Sequence, residues 1–529
     1  MTDVLLINPY FTQRLNFYTF YKPSLPLGLM YIAAYLRQHN VYPKIIELGI
    51  FSLDEAIVKG DKIRFGISDQ KLVSILKKEK PKIIGITSMY SVYYRDVLNI
   101  AKIIKKYDSK IKIIIGGNHP SSYWDSILKN HEIDYIVVGE GETTFLKLTK
   151  YLLANNKMSS INIKGVAYRH NQKIVYSGPA PLISDLDKIP FPARDLIDFQ
   201  QYLPKASDTP YVMRYPVASI ITSRGCPGNC VYCTVKAVWG RTWRGRSPKN
   251  VVDEIELLIQ QYGIKEFAFL DDSASVNKNR WIGICDEIIH RKLDIKWSTP
   301  NGIAHWTLDK PTLKKMYEAG CYRITFGIES GNQRTREFLG KPYSLKQAQE
   351  LIKYANKIGM WTICTNIIGF PYEQLNSVTD TIEFAKSCGT DFATFYLLIP
   401  QPTSEVYSYF RKENLLNLDR FLISINDDDE ETEKVNSVLN EGGTNTKYFT
   451  KDQLKELQRK AYRQFLIHRA LSYASNPLLI LRKIKNKEEL FYVTKLLRIG
   501  LLIIIRTLNP FNVKSGDFLY RKHKFTKSA

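Results

Sequence analysis

Short runs rich in Ile and Val alternate with amphipathic helical patterns twice along this 529-residue chain, and that repetition leaves few folds open to it. In the first stretch, to about residue 195, the apolar runs fall at 4–8, 44–48, 82–88, 112–117 and 135–139. Helical patterns such as 27–38 and 92–107 lie between them. Strands that are apolar on both faces and separated by helices predict a parallel sheet wound on both sides. The second stretch carries six more runs, at 217–222, 266–270, 295–298, 323–328, 361–368 and 392–399, each followed by a helical pattern. Six strand–helix units predict a (β/α)6 partial TIM barrel, so both stretches are of the α/β class. Between them, Ile189-Pro190-Phe191-Pro192-Ala193-Arg194 favours extended backbone. The expected organisation is a first domain over 1–150, a linker region over 151–214, a barrel over 215–405 and a mostly helical, basic region over 406–529.

The formal charge of +23 is concentrated late: residues 434–529 hold 20 Lys and Arg against 6 Asp and Glu, a net +14. Such an excess suits nucleic acid, an anionic substrate or an anionic membrane surface. Residues 477–506 mix Leu and Ile clusters with cations, as an interfacial helix would. This favours peripheral membrane contact over nucleic acid, with packing on the barrel as the alternative. The uncharged run 499–505 is too short to span a bilayer. MTDVLLINPY has no basic n-region, so no signal peptide is expected there. Seven cysteines are too sparse for a disulfide scaffold, which points to a reducing, cytoplasmic setting, with membrane association through the C-terminal region where it occurs. The acidic run 426–431 reads as a solvated loop.

Parallel sheets bind ligands at the carboxyl ends of their strands. In the first domain those ends carry Ser88 and the turns Gly116-Gly117-Asn118-His119 and Gly139-Glu140-Gly141-Glu142. Glycines there let a large ligand approach the backbone, or simply make tight connections. After the first barrel strand comes Cys226-Pro227-Gly228-Asn229-Cys230-Val231-Tyr232-Cys233, a C-x3-C-x2-C spacing. Three thiolates on one loop can hold three irons of a [4Fe–4S] cubane and leave the fourth open to a chelating ligand. Structural zinc would need a fourth ligand, which no neighbouring Cys or His supplies; a distant one keeps that alternative open. Cys285, Cys321, Cys364 and Cys388 sit in apolar contexts and read as core residues.

The cysteine motif resembles that of the radical S-adenosylmethionine (SAM) superfamily, and three later motifs match in order. The resemblance implies a [4Fe–4S] cluster on Cys226, Cys230 and Cys233, with SAM on its open iron. It implies Tyr232 against the SAM adenine and Asp271 and Asp272, in Phe269-Leu270-Asp271-Asp272, facing SAM. Glu329, in Phe326-Gly327-Ile328-Glu329-Ser330-Gly331, is implied as partner of the SAM amino group. Pro371, in Ile368-Gly369-Phe370-Pro371, is implied near the adenine. Helix capping or a salt bridge is the plain alternative for each carboxylate taken singly. The first domain is similar to the flavodoxin-like cobalamin-binding domain that precedes many radical SAM cores. The matching pieces are Pro26-Leu27-Gly28-Leu29-Met30-Tyr31-Ile32-Ala33-Ala34, Gly116-Gly117-Asn118-His119-Pro120 and Val138-Gly139-Glu140-Gly141-Glu142. They imply a corrinoid near Gly28, Ser88, Gly116, Gly117, His119, Gly139, Glu140 and Gly141. The D-x-H-x-x-G signature of histidine ligation to cobalt is missing, so His119 is expected to cap a turn.

The reaction implied by this resemblance is cobalamin-dependent methyl transfer to an unactivated carbon, with a small-molecule or lipid-like substrate. A flavodoxin or ferredoxin is the implied electron donor. The second reading is an oxidative cyclase like the anaerobic magnesium-protoporphyrin monomethyl ester cyclase. A reading from another class is a non-catalytic iron–sulfur or cobalamin sensor. Arginines in Trp239-Gly240-Arg241-Thr242-Trp243-Arg244-Gly245-Arg246-Ser247 could hold an anionic substrate or make ordinary salt bridges.

Overall fold

The computed structural model describes residues 3–508, apart from 15–22, 53–54, 61, 155–160, 204–211, 342, 402 and 417–441; of 501–508 it describes the helical backbone alone. The acidic run 426–431 lies outside the described residues.

The first domain alternates β1 (Val4–Asn8), α1 (Leu27–Gln38), β2 (Lys44–Glu47), α2 (Asp69–Glu79), β3 (Ile83–Thr87), α3 (Tyr94–Tyr107), β4 (Lys112–Gly116), α4 (Asn118–Ile127), β5 (Tyr135–Val137) and α5 (Gly141–Leu153). Its parallel strands run in the order β2-β1-β3-β4-β5, the flavodoxin-like arrangement. Val4, Leu5, Leu6 and Ile7 are all 0% exposed, because helices cover both faces: α1 and α5 on one, α2 and α3 on the other. The order reverses between β1 and β3, and Ser88 directly follows β3 at that switch point. Within the stretch read as a linker, β6 (Val166–His170) and β7 (Lys173–Tyr176) extend this sheet antiparallel from β5. Their two-residue turn puts Asn171 and Gln172 at φ 48° and 62°. Glutamine is a poor signal for such a turn, so the hairpin does not announce itself in sequence.

The second unit runs β8 (Val217–Ile220), α6 (Lys236–Trp239), α7 (Pro248–Tyr262), β9 (Glu266–Phe269), α8 (Lys278–His290), β10 (Lys296–Ile303), α9 (Lys310–Glu318), β11 (Cys321–Glu329), α10 (Gln333–Leu339), α11 (Leu345–Ile358), β12 (Trp361–Ile368), α12 (Leu375–Ser387) and β13 (Phe392–Leu397). The six strands pair in parallel and in sequence, and β8 and β13 are the two edges, so the barrel is partial. Ala218, Ile220, Phe267, Phe269, Trp297, Ile324 and Phe326 pack outward under the helices. Cys285, Cys321, Cys364 and Cys388 are buried there and beside it.

The C-terminal region follows as α13 (Glu405–Lys412), α14 (Lys451–Ser475), α15 (Leu478–Leu481) and α16 (Lys487–Leu508). Leu454, Ala461 and Phe465 of α14 pack on Ile368 and Phe395. Tyr492, Val493 and Leu496 of α16 pack on Tyr322 and Trp361. Between these helices Lys483, its side chain 1% exposed, pairs with Asp391 at 2.7 Å and donates to the Met360 carbonyl. The segment thus closes the end of the barrel opposite the strand carboxyl termini, as the packing alternative predicts. Its other face leaves Leu478, Leu481, Phe491 and Leu497 more than half exposed. No helix among the described residues is long and apolar enough to cross a membrane.

Candidate active site

The cysteine loop leaves the top of β8 and is closed at its base by a ribbon pairing Ser223 and Arg224 with Gly245 and Arg244. Asp271 anchors that base from the end of β9. Its Oδ1 accepts bonds from the Thr222 amide (3.0 Å) and from the Thr222 and Ser223 hydroxyls (2.8 and 2.5 Å). Asp271 is 2% exposed and spends this oxygen on the strand that feeds the loop, while its Oδ2 is buried without a protein partner. Exposed Asp272 accepts the Gly225 amide at 3.4 Å. Gly225 is required at φ 83°, where a Cβ would stand 2.3 Å from the Thr242 carbonyl oxygen.

The three cysteines are half-buried and unbridged. A Cβ at Gly228 would lie 3.3 Å from Cys226 Sγ and 3.8 Å from Cys230 Sγ, so the backbone nests between two sulfurs. Burial raises the Cys230 thiol and pushes Cys233 up to about 11, with neighbouring sulfurs adding to both. Thiolates so placed gather only around positive charge. Among the described residues no set of three Cys, His, Asp or Glu side chains surrounds one ion position. A cubane sets no such condition, because it spreads its thiolates over three irons.

Across the barrel mouth stands Glu329, 7% exposed, at a register shift between β11 and β12 and with φ 61°. A left-handed glutamate on a bulge is strained, a device that aims a side chain at a site. Its carboxylate meets Lys341 at 2.8 Å and raises the nearby Tyr232 hydroxyl, which burial has already raised further. Tyr232 faces Phe370 across 6.4 Å. Phe370 and buried Pro371 sit on a loop capped by Glu373, a residue the motif reading missed. Glu373 accepts the Gly369 and Phe370 amides at 2.7 and 3.3 Å.

The strand ends of the first domain press on the other side of the cysteine loop. Glu140 and Glu142 pair with Arg224 at 2.5 and 2.6 Å, and Glu140 with Arg244 at 3.0 Å, all four side chains being buried. A Cβ at Gly139 would lie 3.3 Å from the Val238 carbonyl oxygen, two residues before the end of the loop's own turn at Gly240. Glu140, expected near a corrinoid, is therefore committed to the domain contact, and Gly141 abuts Ile32. Arg246 is likewise taken up, by Glu254; Arg244 bonds Glu140 through Nη1 and keeps Nε and Nη2 buried without a protein partner, while Arg241 is exposed. Ser88, Gly116, Gly117 and His119 cluster at the ends of β3 and β4. Ser88 Oγ, Asn118 Oδ1 and His119 Nε2 are buried without a protein partner, as befits atoms awaiting a polar ligand. His119 bonds Ser91 through Nδ1 and lies between the rings of Tyr94 and Tyr123; burial lowers it to about 3, so it stays neutral. Gly28 lies on exposed α1 surface away from any contact to a Cβ.

Two family models match the chain: the radical SAM superfamily over residues 220–385 and the B12 binding domain over 14–149. An uncharacterized methyltransferase of Pyrococcus horikoshii is 35% identical over 84% of this chain and 88% of its own length. This chain belongs to the cobalamin-binding radical SAM enzymes. The cytidylyl-2-hydroxyethylphosphonate methyltransferase of Streptomyces wedmorensis is 32% identical over 76% of this chain and 80% of its own. The anaerobic magnesium-protoporphyrin IX monomethyl ester cyclase of Rubrivivax gelatinosus is 28% identical over 72% and 65%. The radical SAM methyltransferase TsrM of Kitasatospora setae, solved with cobalamin and a [4Fe–4S] cluster, shares the fold at TM-score 0.61, covering 78% of this chain and 75% of that one, at 18% identity. The cofactors of this radical SAM enzyme are a [4Fe–4S] cluster, SAM and cobalamin. It acts on a small molecule and draws on a reductant.

Proposed function

We propose that this enzyme methylates an unactivated carbon of its substrate. The observation that carries the reading is the shared wall: the cysteine loop is contacted on one side by the barrel mouth and on the other by the strand ends of the cobalamin-type domain. When bound, the cluster with SAM supplies a 5′-deoxyadenosyl radical, and cobalamin supplies the methyl group. The protein's share is to position and to exclude water. Cys226, Cys230 and Cys233 hold the cluster, and Asp271 with Asp272 fixes the loop that bears them. Tyr232 and the loop through Pro371 hold the adenine, and Glu329 takes the amino group. Ser88, Gly116, Gly117 and the β4–α4 turn form the corrinoid face, with His119 held neutral between Tyr94 and Tyr123 and not assigned as a cobalt ligand. We assign the corrinoid to residues 1–150 together with the hairpin 166–176, and SAM to 215–405. The cyclase resemblance makes oxidative ring formation the second reading.

Two measurements test the proposal. Anaerobically reconstituted protein is expected to cleave SAM to 5′-deoxyadenosine and Cys230→Ala is not, whereas Cys285→Ala keeps its cluster; equal activity in Cys230→Ala overturns the assignment. Feeding the host methyl-deuterated methionine should label one metabolite that disappears when the gene is deleted. An unlabelled, ring-closed product in its place favours the cyclase. A flavodoxin or ferredoxin is the proposed donor. The outward face bearing Leu478, Leu481, Phe491 and Leu497 is the proposed contact with an anionic membrane, tested by salt-sensitive flotation with liposomes.

A further inference from the structure

A groove on the outer face of the first domain belongs to none of the cofactor sites. It holds about 770 Å³ between the end of α1, the first turns of α5, the loop 161–164 and the strap 180–189 that leads into the barrel. Small-molecule sites typically measure roughly 300–1,000 Å³. Helix α1 runs back from the strand carboxyl ends, so Tyr35 and His39 at its far end carry the groove away from the corrinoid face; their rings lie 4.5 Å apart.

The charges along its walls do not balance. Thr144 of α5 donates to the Lys164 carbonyl at 3.3 Å, which ties the loop to the helix face that carries Lys147 one turn on. Among the described residues neither Lys147 nor Lys164 has an anionic partner, and both are exposed. On the strap, Lys188 stands 3.8 Å from Asp185, the only carboxylate among the described lining residues, so that pair cancels. Two positive charges remain in a concavity, where their field is concentrated. The strap itself has a second face. The Ile183 amide donates to Glu140 Oε2 at 2.8 Å, and its carbonyl accepts Arg244 Nη1 at 2.5 Å, while Leu186 and Ile189 pack on Tyr31. One wall of the groove is therefore also the back of the charge network that supports the cysteine loop.

We infer that this groove binds a phosphorylated small molecule, with its phosphate oxygens on Lys147 and Lys164 and its organic part along Tyr35 and the strap. A phosphate end brings the two or more negative charges that these lysines lack, whereas a single carboxylate leaves one of them uncompensated. A ligand so placed joins α5 and the loop 161–164 to the strap. Because it binds only while the strap is closed over it, it holds the strap, and with it the contact between the domains, in place by mass action. The groove is a regulatory site, separate from the cofactors.

Equilibrium dialysis of the full-length protein with radiolabelled inorganic pyrophosphate, at about physiological ionic strength so that diffuse surface attraction is screened, tests the binding. Wild type is expected to take up about one pyrophosphate per chain, saturably. Lys147→Met/Lys164→Met should bind it about tenfold or more weakly, the scale of one charge-assisted hydrogen bond. Lys77→Met/Lys78→Met removes the same charge from exposed positions of α2, on the opposite face of the sheet, and should bind as wild type does. Hydrogen–deuterium exchange tests the bracing: pyrophosphate should slow exchange in peptides covering 180–189 of wild type and not of Lys147→Met/Lys164→Met. Absence of saturable binding, or an equal loss in both double variants, overturns the site. Saturable binding that leaves exchange over 180–189 unchanged overturns its coupling to the strap.

Discussion

Several side chains around the site carry charge states that burial sets, and Glu373 is the most testable. Its carboxyl is pushed up to about 7 by desolvation, with the Gly369 and Phe370 amides opposing that rise. The unfolded chain ionises near pH 4.3, so the stability this acid contributes is full below that value and is lost as pH rises through about 7. The loss amounts to something on the order of 3 kcal/mol. Glu373→Gln keeps a carbonyl oxygen for both amides and removes the proton. Its melting temperature is expected to vary less between pH 5 and pH 8 than that of wild type; an unchanged difference would place the pH sensitivity elsewhere. The cysteines show how differently residues of one type can be read from sequence. Three grouped by spacing stand out, and four scattered in apolar runs do not, and their burial follows those contexts. Asp271 was not readable in the same way. A carboxylate at a strand end has the same sequence signature whether it faces a ligand or ties neighbouring residues together, and Asp271 ties Thr222 and Ser223 with one oxygen and leaves the other without a protein partner.

At the level of elements, the two glycines after β4 behave differently. A Cβ at Gly117 would stand 2.7 Å from the Ser88 carbonyl oxygen at φ 119°, so the fold itself requires glycine there. A Cβ at Gly116 would meet nothing nearer than 4.0 Å. Gly116→Val is therefore the cleaner probe of the corrinoid face. It is expected to lower corrinoid retained per chain, read from the absorbance spectrum, while iron content stays constant. Full retention would move the corrinoid away from this turn. The C-terminal helices yield a second prediction. Asp391→Asn leaves Lys483 buried without its counter-charge, which typically costs about 3–5 kcal/mol. A lowered melting temperature is expected, and an unchanged one would show that α15 is only loosely attached. Amphipathic periodicity revealed these helices but not their partner. Tyr492, Val493 and Leu496 face the barrel while Phe491 and Leu497 do not, and one alternating pattern of Leu and Lys fits either a protein or a lipid surface.

Over the whole molecule, four buried charges set how the two domains meet. Glu140→Ala leaves Arg244 and part of Arg224 without their carboxylate, and is expected to loosen the first domain from the cysteine loop. Limited proteolysis should then cut near 189–194 faster than in wild type, with cluster content retained; identical digestion would mean that apolar contacts alone hold the interface. The strand–helix alternation, the parallel sheet, the six-stranded barrel and the cysteine motif are all local patterns, written in apolar periodicity and in the spacing of a few residues, and the sequence by itself determined them. Tertiary structure alone decided that Glu140 and Glu142 face Arg224 some eighty positions later, that Lys341 sits on Glu329, and that the hairpin at 166–176 joins the first sheet. Charge pairing between distant segments leaves no periodic trace: an ion pair needs only that two side chains converge, and what brings them together is the packing of the elements that carry them.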